Sequence, residues 1–280
     1  MKTKTILTIL LATLALATVS AQSSKIVKEN REVSQFSAIT ASGGWDVIVR
    51  QGNRQSVSIE VSEGILDRAV IEVKNGTLHI YNKSRNLPFS WKNLRNVTQK
   101  AYVTVTDLKE ITASGGVDIV FETPLKTNDF SVKMSGGTDL EKLTLSCNNF
   151  TGNFSGGSDA EIRFLAAQNI KVTASGGSDV NLFDIDTRHS QITASGGSDV
   201  NLTGKTEEFI VSASGGCDLS ASRFQARDCT ADVSGAADAS IRVTDRLNIN
   251  VSGASDVVCY GNPRQVDKNV NKSSSLSMRK

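Results

Sequence analysis

The chain has 280 residues, 31 basic against 29 acidic side chains for a net charge of +2, and only 5% aromatic residues. So even a balance lacks the basic excess that marks a nucleic-acid binder, and no segment beyond the N-terminus is apolar and long enough to span a bilayer. Three prolines in the whole chain suit a protein built of paired strands.

The first 21 residues, MKTKTILTILLATLALATVSA, place Lys2 and Lys4 ahead of the apolar run Thr5–Val19 and close on small residues. This is the anatomy of a secretory signal peptide, with cleavage expected after Ala21. The run is too short for a transmembrane segment, and no cysteine follows it to carry a lipid. Cleavage removes two lysines and no acid, so 29 basic side chains then face 29 acidic ones. The expected product is exported, and residues 22–35 form a polar lead-in to a single domain, 36–263.

The first part of that domain, 36–112, reads as irregular. Strand-like runs occur at Val57–Val61, Ala69–Val73, Thr77–Tyr81 and Ala101–Val105, and Asn75-Gly76 between two of them reads as a hairpin turn. This half is expected to be partly antiparallel. Its one long irregular segment, Asn82–Lys100, holds Phe89 and Trp91 with Lys83, Arg85, Lys92, Arg95 and Lys100 and no acid. Two roles fit it. The aromatics could fold back to cap an open end of the domain, or the segment could bind an anionic glycan or another envelope protein through stacking and charge.

The second part, 113–263, is a repeat. The serine of each Ser-Gly-(Gly/Ala)-x-Asp phrase falls at Ser114, Ser135, Ser155, Ser175, Ser195, Ser214, Ser234 and Ser252, with an earlier copy at Ser42. Steps of 18 to 21 residues with little insertion mark a solenoid. Apolar residues alternate on both sides of the glycines, as in Ile170, Val172 and Ala174 before and Val180 and Leu182 after, so each phrase is a turn between two half-buried strands. Identical coils stacked in register must run parallel, about 4.8 Å apart. The fold expected is an all-β parallel β-helix, followed by a polar, basic tail at 264–280.

One aspartate recurs four residues after each marker. Stacked, the eight from Asp118 to Asp256 form a carboxylate ladder whose neighbours repel by about 3–4 kcal/mol at an effective dielectric of 20 and about 1 kcal/mol in water. Two offsets are available. Each Asp could accept hydrogen bonds from its own turn, or a calcium ion could be shared among residues such as Asp159, Asp179 and Asp199. One acid per repeat is sparse for calcium, so the turn reading is expected, with no metal and no cofactor. Cys147, Cys229 and Cys259 occupy strand positions too far apart for bridging and are expected as buried free thiols, with Cys217 exposed in a turn.

The strings FSAITASGGWDVIVRQG, LHIYNKS, VTVTDLKEITASGGVDI, the SGGSD run and CYGNP resemble the putative auto-transporter adhesin head GIN domain family over residues 36–263. The resemblance implies a right-handed parallel β-helix and an exported protein of a Gram-negative bacterium, in the periplasm or at the cell surface. It supplies no catalytic residues. The reading is therefore a non-catalytic adhesin, binding or scaffold module. The alternatives are a carbohydrate-active enzyme, either a polysaccharide lyase or a glycoside hydrolase, and a calcium-stabilised structural repeat. Short coils leave no room for the long loops that build a catalytic cleft, and His79 and His189 have no marked partner in the sequence.

Overall fold

The computed structural model describes residues 25–83 and 97–280. The proposed signal peptide lies outside them. In the N-terminal part the strands are β1 (Ile26–Arg31), β2 (Ala38–Ser42), β3 (Asp46–Gln51), β4 (Ser56–Ser62), β5 (Ala69–Lys74), β6 (Thr77–Asn82) and β7 (Gln99–Val105), with one 3₁₀ helix at Glu63–Arg68. The repeats begin with β8 (Glu110–Ser114), β9 (Asp118–Phe121), β10 (Leu125–Lys126), β11 (Asp129–Ser135), β12 (Asp139–Ser146), β13 (Asn149–Ser155), β14 (Asp159–Ala166) and β15 (Asn169–Ala174). They continue through β16 (Asp179–Gly196), β17 (Asp199–Gly215), β18 (Asp218–Val233) and β19 (Asp238–Val251). The last three strands are β20 (Asp256–Tyr260), β21 (Gln265–Val270) and β22 (Ser275–Arg279).

From β8 onward each coil pairs in parallel with the next, the β-solenoid that the repeat requires. Between β16 and β17 the pairing falls into three runs starting at Asp179, Ile185 and His189, so the coil has three faces. Val180, Leu182, Ile185, Thr187, Ser190, Ile192 and Ala194 point inward and are buried, while the residues alternating with them are at least partly exposed. Each coil caps the core of its neighbour, so the apolar interior is continuous along the stack.

The first and third faces meet at the Ser-Gly-Gly turn, where the first glycine holds a left-handed backbone in every copy, as at Gly176 (φ 76°) and Gly196 (φ 75°). A Cβ on Gly176 would stand 2.9 Å from the backbone nitrogen of Gly156, in the coil below. Turns therefore stack closely only if this column is glycine. The phrase makes a shape.

The residue before each Asp points inward. Trp45, Val117, Thr138, Ser158, Ser178, Ser198, Cys217, Ala237 and Ser255 form one fully buried column. This corrects the expectation for Cys217, which is buried like the other three free cysteines. The turn restarts the in–out alternation one residue before the Asp. Trp45 and Val117, large and apolar at that same phase, carry the signal in the sequence.

The N-terminal part is antiparallel where expected. β1 pairs with β4, β4 with β7, and β5 with β6 across Asn75-Gly76, both with positive φ. The order of coils in space differs from their order in the chain. β2 and β3 lie between β6 and β7 on one side and β8 and β9 on the other. Both ends of the segment expected as irregular belong to strands, Asn82 ending β6 and Lys100 lying within β7, and residues 84–96 lie outside the described residues. The stretch 264–280, expected as a tail, supplies β21 and β22, which pair with β19 and β20 as a last coil.

Candidate functional site

Every aspartate of the repeat stands opposite the next, and β3 adds Asp46 beside Asp118, so the column holds nine carboxylates rather than eight. They face outward and do not accept hydrogen bonds from their own turns. From Gly177 onward the second amide of the turn is already used between coils, Gly177 N–H donating to Gly156 O at 2.8 Å and Gly197 N–H to Gly176 O at 2.8 Å. Among the described residues only the two ends of the column have partners: Lys100 Nζ lies 3.8 Å from Asp46, and Ser275 Oγ donates to Asp256 at 2.5 Å. Burial first, and the neighbouring aspartates second, hold the carboxyls of Asp118, Asp139 and Asp179 above their ordinary range. Asp159, Asp179 and Asp199 thus stand one per coil. Among the described residues no cluster of three or more acidic, His or Cys side chains converges as metal ligands would.

Phe89, Trp91, Arg85, Lys92 and Arg95 lie outside the described residues. Lys83 is exposed at the end of β6, its N–H donating to Arg68 O at 2.9 Å. Lys100 belongs to the head of the aspartate column.

A different constellation forms at the corner between the second and third faces. The first outward position of the third face carries Asp129, Asn149, Asn169, His189, Glu208, Asp228, Arg246 and Gln265 in one column. Its members bond along the stack. Asn149 donates to Asp129 at 2.6 Å and Asn169 to Asn149 at 2.7 Å. His189 Nδ1 lies 2.7 Å from Glu208 Oε2. Arg246 grips Asp228 with two bonds of 3.0 and 2.6 Å, and Arg227 adds a third contact at 3.1 Å. These arginines, Arg246 first, hold the Asp228 carboxyl below the usual carboxylate range.

Buried hydroxyls fix the backbone beneath. Thr187 Oγ1 lies 2.8 Å from Ser190 Oγ and donates to Thr206 Oγ1 at 3.1 Å, and the carbonyls of Arg188 and Glu208 accept from Thr206. Three hollows of about 430, 480 and 270 Å³ run along this corner and share walls: Glu207 and Arg227 between the first two, His189 and Glu208 between the first and third.

In the sequence His189 is only a histidine without a partner. Its partner, Glu208, sits one coil further on and becomes a neighbour only once coils stack. The drift from Asn to His, Glu, Asp and Arg at one phase of the repeat is the signal that could have found the corner.

Among the described residues no helix is long and apolar enough to cross a membrane. No curated protein matches the chain. Solved structures share the fold. A putative lipid binding protein from Parabacteroides distasonis is 21% identical with a TM-score of 0.64, over 91% of this chain and 97% of its own. A putative adhesin from Parabacteroides merdae is 17% identical with a TM-score of 0.69, over the same shares. A putative adhesin from Parabacteroides distasonis is 18% identical with a TM-score of 0.63, again over 91% and 97%. The family described as putative auto-transporter adhesin, head GIN domain, matches residues 35–163 and 153–263. With nearly all of the solenoid so covered, the chain belongs to that family.

Proposed function

We propose that this chain is a non-catalytic binding module, exported to the bacterial envelope and used there for adhesion. The observation that carries this reading is the corner column. Its carboxylates lie close enough together to invite comparison with a glycosidase pair, yet each is committed elsewhere. Glu208 is tied to His189, and Asp228 is clamped by two arginines that keep it ionised. A general acid needs a raised pKa and a free proton to give, and Asp228 is pushed the other way. What the corner offers instead is a rigid, polar, repeating surface. Family membership supports an adhesin-like role.

The test is saturable attachment of the purified chain to washed bacterial envelopes or host cell surfaces, with reducing ends and unsaturated uronates assayed in the supernatant. Saturable binding without sugar release is expected. Absence of saturable binding to any surface removes the adhesion reading, and sugar release moves the chain to the enzymes.

A further inference from the structure

The corner between the second and third faces carries an inference about the ligand. We propose that this groove binds a linear, uncharged polysaccharide laid along the stack, a proposal that rests on the binding-module reading and names its partner.

The shape comes first. The hollows adjoin one another along the corner, a trough in outline that runs from the coil of Asn149 to the coil of Gln265 and shares His189 and Glu208 between neighbours. Seven coils at about 4.8 Å each make it roughly 30 Å long. A trough of that length, open along its side and repeating once per coil, suits a polymer whose own units repeat at a similar length.

Its chemistry narrows the class. The paired groups of the column, His189 with Glu208 and Asp228 with Arg246, are fixed by one another and by the hydroxyls below. Between them Glu207, Thr230, Asn248 and Gln265 line the trough, with no side-chain partner of their own among the described residues. Donors and acceptors with unused capacity beside a preorganised frame are what a chain of hydroxyls needs, since each hydroxyl both donates and accepts. Ile210, 41% exposed on the floor of one hollow, gives the apolar face of a sugar ring something to cover.

Charge excludes the other extended polymers. Glu207, Glu208, Asp228 and Asp267 alternate with Arg227 and Arg246 in one hollow. Asp186 and Glu207 face Arg188, Lys205 and Arg227 in the next. A polyanion such as nucleic acid or a uronate polymer meets carboxylates in both of these hollows, and a polycation meets guanidinium groups. A peptide lacks both of its usual footholds here. The strands beneath the column are paired on both sides through β19, so no edge is free for strand addition along the trough before its last strand, β21, and among the described residues the trough has no deep apolar pockets for side chains.

Affinity electrophoresis tests the proposal, with the purified full chain run through gels containing β-glucan, xylan, mannan or α-glucan, and polygalacturonate and heparin as the anionic arms. Retardation by at least one neutral polymer is expected, and it should persist at high salt because no ion pairing drives it. Glu207→Ala with Asn248→Ala should weaken retardation about tenfold or more, as loss of two hydrogen-bonding groups implies. Neither side chain holds the coils together, and an unchanged melting curve for the double variant excludes unfolding as the cause. A Gln265→Ala variant gives a second, independent reading.

Retardation only by the anionic polymers, by none, or equally in the variants overturns the proposal. If any of those results comes with intact adhesion to cells, the glycan inference fails and the binding-module reading stands. Loss of both takes down both.

Discussion

Gly176 and Gly177 sit side by side in an identical phrase, yet they do different work. Gly176 has φ of 76°, and an added Cβ would stand 2.9 Å from Gly156 N and 3.1 Å from Gly156 O. Gly177 keeps an ordinary φ, and its Cβ would meet only Gly156 O at 3.8 Å. The chain itself places alanine at the second position twice, as Ala236 and Ala254. Gly176→Ala should therefore lower stability by about 1–3 kcal/mol for the left-handed backbone alone, with the contact on Gly156 adding to it. Gly177→Ala should stay within about 0.5 kcal/mol of the parent. Denaturant melts of the two variants side by side check this, and equal losses would mean that the turn relaxes in a way the stacked backbone forbids. That glycines were needed was legible in the sequence. Ala236 and Ala254 also marked which glycine was needed, but the reason lies in backbone from the adjacent coil, a full repeat away in the chain.

The aspartate column, as an element, sets same-sign charges in a line with partners only at its ends among the described residues. The folded-state pKa values of Asp118, Asp139 and Asp179 are raised, so the folded chain binds protons more tightly there than the unfolded chain does. Their contribution to stability is fully present below the ordinary value of 3.8 and is lost as pH rises through the raised values. At neutral pH the column is thus a modest liability, discounted because the groups are largely solvated. Asp179→Asn should raise Tm by roughly 1–2 °C at neutral pH. The gain should shrink as pH falls through the raised carboxyl range, and added sodium chloride should shrink it too by screening the column. A lower Tm for the variant at neutral pH would mean that the carboxylate has a stabilising partner, a bound cation first among them. The period alone predicted the ladder. The direction of its energetics followed only from seeing the turn amides spent between coils.

A stack of coils must also end, and the end concerns the molecule as a whole. Val266, Val270, Leu276 and Met278 continue the inward columns in the last coil, where they are exposed or half-buried. The strands that carry them, β21 and β22, are paired on one side only. Such an end invites another sheet to add on. Lys268 stands in the inward column directly after Ile249, placing an ammonium group where a second copy would have to bury it. Lys268→Val should let two chains meet end to end, so light scattering after gel filtration should show mass rising with concentration in the variant and less so in the parent. Identical behaviour of the two would mean that the end is protected by something other than this charge.

The solenoid, its period, the in–out phase of the strands flanking each turn and the partly antiparallel start could be read from the chain, because each follows from strand alternation and turn chemistry within one coil. Alternation alone misses the inward column that runs through Cys217 inside the turn. What lies next to what could not be read from the chain. Asp46 joins the aspartate column beside Asp118, although strands β4 to β8 intervene along the chain, because the β2–β3 coil lodges between β6–β7 and β8–β9. His189, Glu208, Asp228 and Arg246 become one column although their spacings along the chain are unequal, because register shifts at Leu182/Ile185, Asn201/Thr203, Ser220/Gln225 and Ala226/Asp228 absorb the differences. Local patterns fix the conformation of a coil. Contacts between coils depend on register, which is settled only when the shared core closes and each inward side chain finds its neighbour above and below.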